Sequence, residues 1–134
     1  MNSAEQDISD TLKAYERALN MSNTDAVMAV YAPDGVFMPQ ELPTFVGADA
    51  VRKSYDMIFR RITLTVTFTV VEVRVVSDSW AFARTTSAGK QKINATGETT
   101  DEANHELFVF EKPGGSWKIE LDAVCGGIRL SLEG

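Results

Sequence analysis

With 134 residues, 44% of them hydrophobic and 24% charged, the chain has the size and composition of a single globular domain, spanning 1–134, that can bury a core without disulfides or a structural metal. Its net charge is −6, and its only basic pairs, Arg52-Lys53 and Arg60-Arg61, fall in one predicted helix; phosphate-backbone binding wants a basic stripe, so no nucleic-acid partner is expected. No apolar run reaches membrane-spanning length, and Met1 to Glu5 lacks the basic and apolar regions of a signal peptide, so a cytoplasmic protein with no membrane partner is expected.

The predicted elements begin with a helix. Ser3 and Gln6 form a capping-box start, and Ile8, Leu12, Tyr15 and Leu19 follow at spacings of four, three and four, one amphipathic stripe. Asn23 or Thr24 caps a second, short helix carrying Val27, Val30 and Tyr31. Pro33-Asp34-Gly35 ends it in a turn, and Val36-Phe37-Met38 reads as a brief strand stopped by Pro39. A loop from Pro39 to Gly47 leads to a third helix with Val51, Tyr55, Ile58 and Phe59 on one side.

From 62 to 70 the even positions are apolar and the odd positions 63 to 69 are threonine; from Val71 onward the phase reverses. A strand cannot change faces without an inserted residue, so a bulge or sharp bend is predicted near Val70-Val71, and a strand bent there curls its sheet. Three further strands follow: Trp80 to about Thr86, His105 to Glu111 and Trp117 to Val124. Lys112-Pro113-Gly114-Gly115-Ser116 is the hairpin turn between the last two. The stretch from Ala88 to Asn104 is long for a hairpin, so it is either an extension of its flanking strands or a functional loop. The order helix, helix, short strand, helix, then a four-stranded antiparallel meander defines an α+β plan.

Two charges interrupt this pattern. Glu106 shares a strand face with Phe108 and Phe110, and Arg84 shares one with Trp80 and Phe82. Charges on an aromatic face are costly to bury unless they are paired or line a polar cavity, so the two together point to a pocket. Glu106 is either neutralised by Arg84 or, with Arg84, anchors a polar group of a ligand. The only histidine, His105, points away from Glu106. The single Cys125 follows an apolar strand and reads as a buried small hydrophobe. One histidine and one cysteine do not make a transition-metal site, so no metal and no cofactor are expected. No phosphate-cradling glycine loop and no Gly-x-Ser-x-Gly elbow is present.

Ordered pieces across nearly the whole chain resemble the nuclear-transport-factor-2-like superfamily, in its SnoaL-like and ketosteroid-isomerase-like branch. They are Tyr31-Ala32-Pro33-Asp34-Gly35-Val36-Phe37-Met38-Pro39, Phe45-Val46-Gly47, Ala81-Phe82-Ala83-Arg84-Thr85-Thr86-Ser87-Ala88-Gly89, Asn104-His105-Glu106-Leu107-Phe108-Val109 and Trp117-Lys118-Ile119. The resemblance implies a cystatin-like roll: a cone-shaped, curved mixed or antiparallel sheet wrapped around a long N-terminal helix, with a pocket at the open end. It also implies a homodimer through the outer sheet face. In ketosteroid isomerases a first-helix tyrosine and a protonated strand aspartate form an oxyanion hole, and an aspartate before a proline is the base. Tyr15 matches the tyrosine and Glu106 the strand aspartate, while Met38 stands at the base position and cannot accept a proton.

The resulting expectation is a protein that binds a small apolar molecule bearing a polar group. Glu106 and Tyr15 are the candidates for cofactor-free isomerase or cyclase chemistry. Arg84, Met38, Tyr31, Phe37, Tyr55, Phe59, Phe68, Phe108 and Trp117 are candidates for binding the ligand. The alternative is a non-catalytic association module with a vestigial cavity.

Overall fold

The computed structural model describes residues 2–126 of the chain. The first stripe folds as its spacing predicts: α1 runs Ser3–Asn20 and buries Ile8, Leu12, Tyr15 and Leu19. Its cap is Asn2 rather than Ser3, because the Asn2 side-chain oxygen accepts from the Glu5 amide at 2.9 Å, which moves the helix start one residue earlier than expected. Asn23 caps the short α2 (Thr24–Met28) in the same way, accepting from the Ala26 amide.

The first strand is longer than predicted. β1 spans Tyr31–Met38, and Pro33-Asp34-Gly35 lies inside it as an irregularity instead of a turn before it. The register against the last strand jumps from Tyr31 opposite Ile119 to Val36 opposite Leu121, and Pro33, which has no amide to donate, is accommodated in that break. A two-residue β2 (Phe45–Val46) pairs antiparallel with β1 and was too short for periodicity to show. Gly47, at φ 89°, opens α3 (Ala48–Arg61), whose buried side carries Val51, Ser54 and Tyr55.

Four long strands complete the sheet: β3 (Ile62–Val75), β4 (Trp80–Ile93), β5 (Thr99–Glu111) and β6 (Lys118–Gly126). They form the predicted antiparallel meander, and the sheet order is β2-β1-β6-β5-β4-β3, with β1 and β6 the parallel pair. The phase reversal after residue 70 is a bulge, since Val70 faces Thr85 and Glu72 faces Arg84, leaving Val71 unmatched. The long connection resolves into strand: β4 extends to Ile93 and β5 begins at Thr99. In the β5–β6 turn Gly114 and Gly115 take φ of 64° and 91°.

This curved, unclosed mixed sheet wraps α1, giving an α+β roll. Helix α1 also covers the edge of the sheet. Asn20 takes the Val66 amide at 2.8 Å and returns a hydrogen bond to its carbonyl at 2.9 Å, and Glu16 accepts from the Phe68 amide at 2.7 Å. Those groups on the outer edge of β3 would otherwise be open to pairing with another chain. On β4 the concave face carries Ala81, Ala83, Thr85 and Ser87, whereas Trp80 and Arg84 are exposed on the convex face. Small side chains there leave room above the middle of the sheet, and that room is the cavity.

Candidate active site

Four elements converge on one buried hydrogen-bonded chain. The Tyr15 hydroxyl of α1 donates to Oδ2 of Asp122 in β6 at 2.7 Å, and it lies 2.7 Å from the Tyr55 hydroxyl of α3. The Tyr55 hydroxyl is in turn 2.8 Å from that of Tyr31 in β1. A phenol carries one proton, so a chain that ends on an ionised Asp122 runs in one direction: Tyr31 donates to Tyr55, Tyr55 to Tyr15, and Tyr15 to the carboxylate. The three tyrosines are 1–5% exposed, and burial pushes their pKa values well above the ordinary phenol range, which keeps them neutral donors.

Asp122 is 1% exposed, and its Oδ1 has no hydrogen-bond partner among the described residues. Burial raises its pKa to about 7 and the nearby Glu106 charge adds to the rise, while the Tyr15 hydrogen bond works against it. A carboxyl group near half-ionisation at neutral pH, with one oxygen held and the other unpartnered, can give or take a proton without a large penalty either way.

Period-2 alternation from Ile119 turns Leu121 inward and Asp122 outward. The structure does the reverse because Ile119 faces Phe110 and Leu121 faces Val109, which leaves Glu120 as an extra residue. Past that bulge Asp122 stands on the concave face, opposite Phe108 on one side and Phe37 on the other. The sequence did hold the signal: Ile119 and Val124 are of opposite parity, as with the phase reversal in β3.

Glu106 is 6% exposed, and its two oxygens accept from Thr85 Oγ1 and Ser87 Oγ at 2.6 Å each. Burial raises its pKa against those hydrogen bonds. The expected pairing with Arg84 does not form. Glu106 stands opposite Thr85 in the ladder, so Arg84, one residue on, projects from the other face, where its Nε meets Glu72 at 2.6 Å. Arg84 therefore pairs with Glu72 rather than Glu106 and does not line the cavity that Tyr15 and Asp122 share, because the face it shares with Trp80 and Phe82 is the convex one.

Tyr15, Tyr55, Phe37, Phe68, Glu106 and Asp122 line a cavity of about 480 Å³, within the size range of small-molecule sites. Leu19, Ile58, Ile62, Leu64, Val66 and Val124 add apolar wall, and Gln40 to Leu42, Gln91 and Asp101 to Asn104 form its rim. The other aromatic candidates pack behind this surface. Tyr31 is hydrogen-bonded to the site through Tyr55 and packs edge-on against the Tyr15 ring at 6.4 Å, and Phe108 stacks edge-on against Tyr15 at 5.7 Å. Phe59 contacts Tyr55 at 5.9 Å, and Trp117 is buried beneath Lys112, 5.4 Å from its ring. Met38 is 42% exposed on the outer face, since the inward position of that strand end belongs to Phe37. Cys125, expected to be buried, is exposed on the outer face opposite His105.

A second acidic cluster lies at the far end of the strands from the rim. Carboxylate oxygens of Asp34, Glu111 and Glu120 are all within 4.8 Å of one another. Burial, together with those two acidic neighbours, pushes Glu120 up to about 8, since each further charge in the cluster is opposed by the others.

A curved, open sheet wrapped around a helix, with a cavity reaching a buried tyrosine–carboxyl chain, defines the cavity-bearing class of nuclear-transport-factor-2-like α+β rolls. Residues 12–119 match the SnoaL-like domain, and the chain belongs to that family. It is similar to a ketosteroid isomerase-like protein from Erwinia carotovora atroseptica, at 31% identity and a TM-score of 0.89, over 94% of this chain and 98% of that one. It shares its fold with a candidate calcium/calmodulin-dependent protein kinase II association domain from Xanthomonas campestris (20% identity, TM-score 0.80, 97% of this chain and 91% of that one). The same holds for a candidate scytalone dehydratase from Novosphingobium aromaticivorans (17% identity, TM-score 0.77, 93% and 85%). No curated protein matches the sequence. Among the described residues, no helix is long and apolar enough to cross a membrane.

Proposed function

We propose that this protein is a cofactor-free acid–base enzyme acting on a small, largely apolar molecule held in the cavity, with Asp122 as the group that moves the proton. The observation that carries this reading is the buried Asp122 carboxyl, with Oδ2 fixed by Tyr15, Oδ1 unpartnered among the described residues and a pKa near neutrality. Asp122 takes the place the sequence reading gave to Glu106. Glu106, held by two hydroxyls, receives a polar group of the ligand, and Tyr15 keeps Asp122 in position. Similarity to a ketosteroid isomerase-like protein supports proton abstraction next to a carbonyl as the first reaction to test.

Ketones such as cyclohexanone, 1-indanone and 2-tetralone in deuterated buffer report this chemistry directly by NMR. The carboxylate removes a proton α to the carbonyl, an enolate forms, and a deuteron returns to the same carbon. Wild-type protein is expected to speed the exchange of at least one of them, and Asp122→Asn to lose about 100-fold or more of that rate. Equal rates for the two proteins on every ketone would sink the reading.

One observation favours an association role as well. The convex face exposes Met38, Val71, Trp80 and Leu107, of which Val71 is 52% exposed, and such a patch suits a second copy of the chain.

A further inference from the structure

The charge of the cavity is one-sided. Glu41, Asp101, Glu102, Glu106 and Asp122 line it, and among the described residues no lysine, arginine or histidine does. Asp101 pairs with Lys90. Among the described residues no cationic side chain hydrogen-bonds to Glu106 or Asp122: the donors to Glu106 are uncharged hydroxyls, the donor to Asp122 is a phenol, and His105, beside Glu106 in β5, acts on it only through space. Glu102 and Glu106 project from the same face of β5, so they form a ladder from the rim inward, and Asp122, one oxygen of which has no partner among the described residues, extends it. Apolar walls and the rings of Phe37, Tyr55 and Phe68 surround this ladder.

A buried carboxylate is costly unless something pairs with it. A low-dielectric cleft of one sign repels an anion and concentrates a cation, and aromatic faces favour that cation further. We propose that the cavity takes a hydrophobic organic cation, an ammonium group on an apolar body, with Glu106 as its counter-ion and Glu102 on its approach. This rests on the proposed function only in placing the ligand in this cavity; it does not require Asp122 to move a proton.

Ionisation gives the proposal a signature. Burial holds Glu106 and Glu102 above the usual carboxylate range, and a bound ammonium favours their charged forms. Binding an amine therefore expels a proton, and amine affinity rises with pH across the ionisation of these groups while the ammonium stays charged.

The test compares 4-phenylbutylamine, 4-phenylbutan-1-ol and 4-phenylbutyrate by isothermal titration calorimetry, with naphthyl and adamantyl series alongside. In the best-fitting series the amine is expected to bind about tenfold or more tighter than the alcohol, and the carboxylate not to compete. Glu106→Gln is expected to remove that advantage and leave the alcohol within about twofold. Titration of wild-type protein in buffers of different ionisation heat should show proton release for the amine and none for the alcohol, which keeps the test decisive if the variant fails to fold. Equal affinity for amine and alcohol, binding of the carboxylate, or no amine binding in any series would overturn the proposal. Amine binding without ketone exchange would leave this inference standing and sink the catalytic reading, and exchange without amine preference would do the opposite.

Discussion

Asp122 shows how one residue sets both the chemistry and the stability of this protein. Its folded pKa of about 7 lies above the ordinary aspartate value, so between roughly pH 4 and pH 7 the native state holds a proton that the unfolded chain has lost. Stability from this group is therefore fully present at the acid end and declines as pH rises toward 7. Glu102, Glu106 and Glu120, all raised by burial, push in the same direction. Urea denaturation should find wild-type protein weakening across this range, and Asp122→Asn should flatten the slope by a few kcal/mol, on the order of three pKa units. A slope unchanged in the variant would mean that Asp122 ionises normally in the folded state. Tyr15 and Glu106 were legible in the sequence because helical and strand periods placed them inward without interruption. Asp122 was not, because the extra residue Glu120 turns it to the other face.

Individual elements show the same contrast. The β3 bulge was legible because four threonines alternate with apolar residues before the phase breaks, whereas the β6 bulge follows only two clear inward positions, Trp117 and Ile119. Arg84 was misplaced for a different reason: alternation groups residues by face but does not say which face is concave. On β4 the aromatic set faces out and the small set faces in, the opposite of the usual weighting by hydrophobicity. Curvature also shows at Gly89, where an added Cβ would fall 2.0 Å from the Thr65 carbonyl oxygen and 2.8 Å from the Val66 Cα. Both atoms are backbone and cannot swing aside, so Gly89→Ala has to push β3 and β4 apart. Its expected cost is about 1–3 kcal/mol, read as a lower urea midpoint with little change in slope. A midpoint equal to wild type would show that the two strands separate freely there.

The whole molecule presents two faces with different tasks: a concave one lined by acids and aromatic rings, and a convex one where apolar side chains are exposed. Sequence order was enough to place the chain in its fold, because the helices and the long strands follow one another in a pattern that few architectures accept. The partner of the convex face is a question for solution measurement. If that face joins two copies, sedimentation should give twice the 14.7 kDa chain mass, and a Val71→Asp, Leu107→Asp double variant should sediment as the single chain while keeping its cavity chemistry. A wild-type protein that sediments as a single chain would assign those exposed residues to another partner.

The tyrosine chain has a property that none of its members has alone. With Asp122 ionised, every hydroxyl from Tyr31 inward points toward the carboxylate. A proton arriving on Oδ2 reverses Tyr15, which then reverses Tyr55 and Tyr31, so the polarity of the whole row flips as a unit. The row spans α1, α3, β1 and β6. The protonation state at the cavity wall is thus written into the orientation of the Tyr31 hydroxyl, which lies outside the cavity lining.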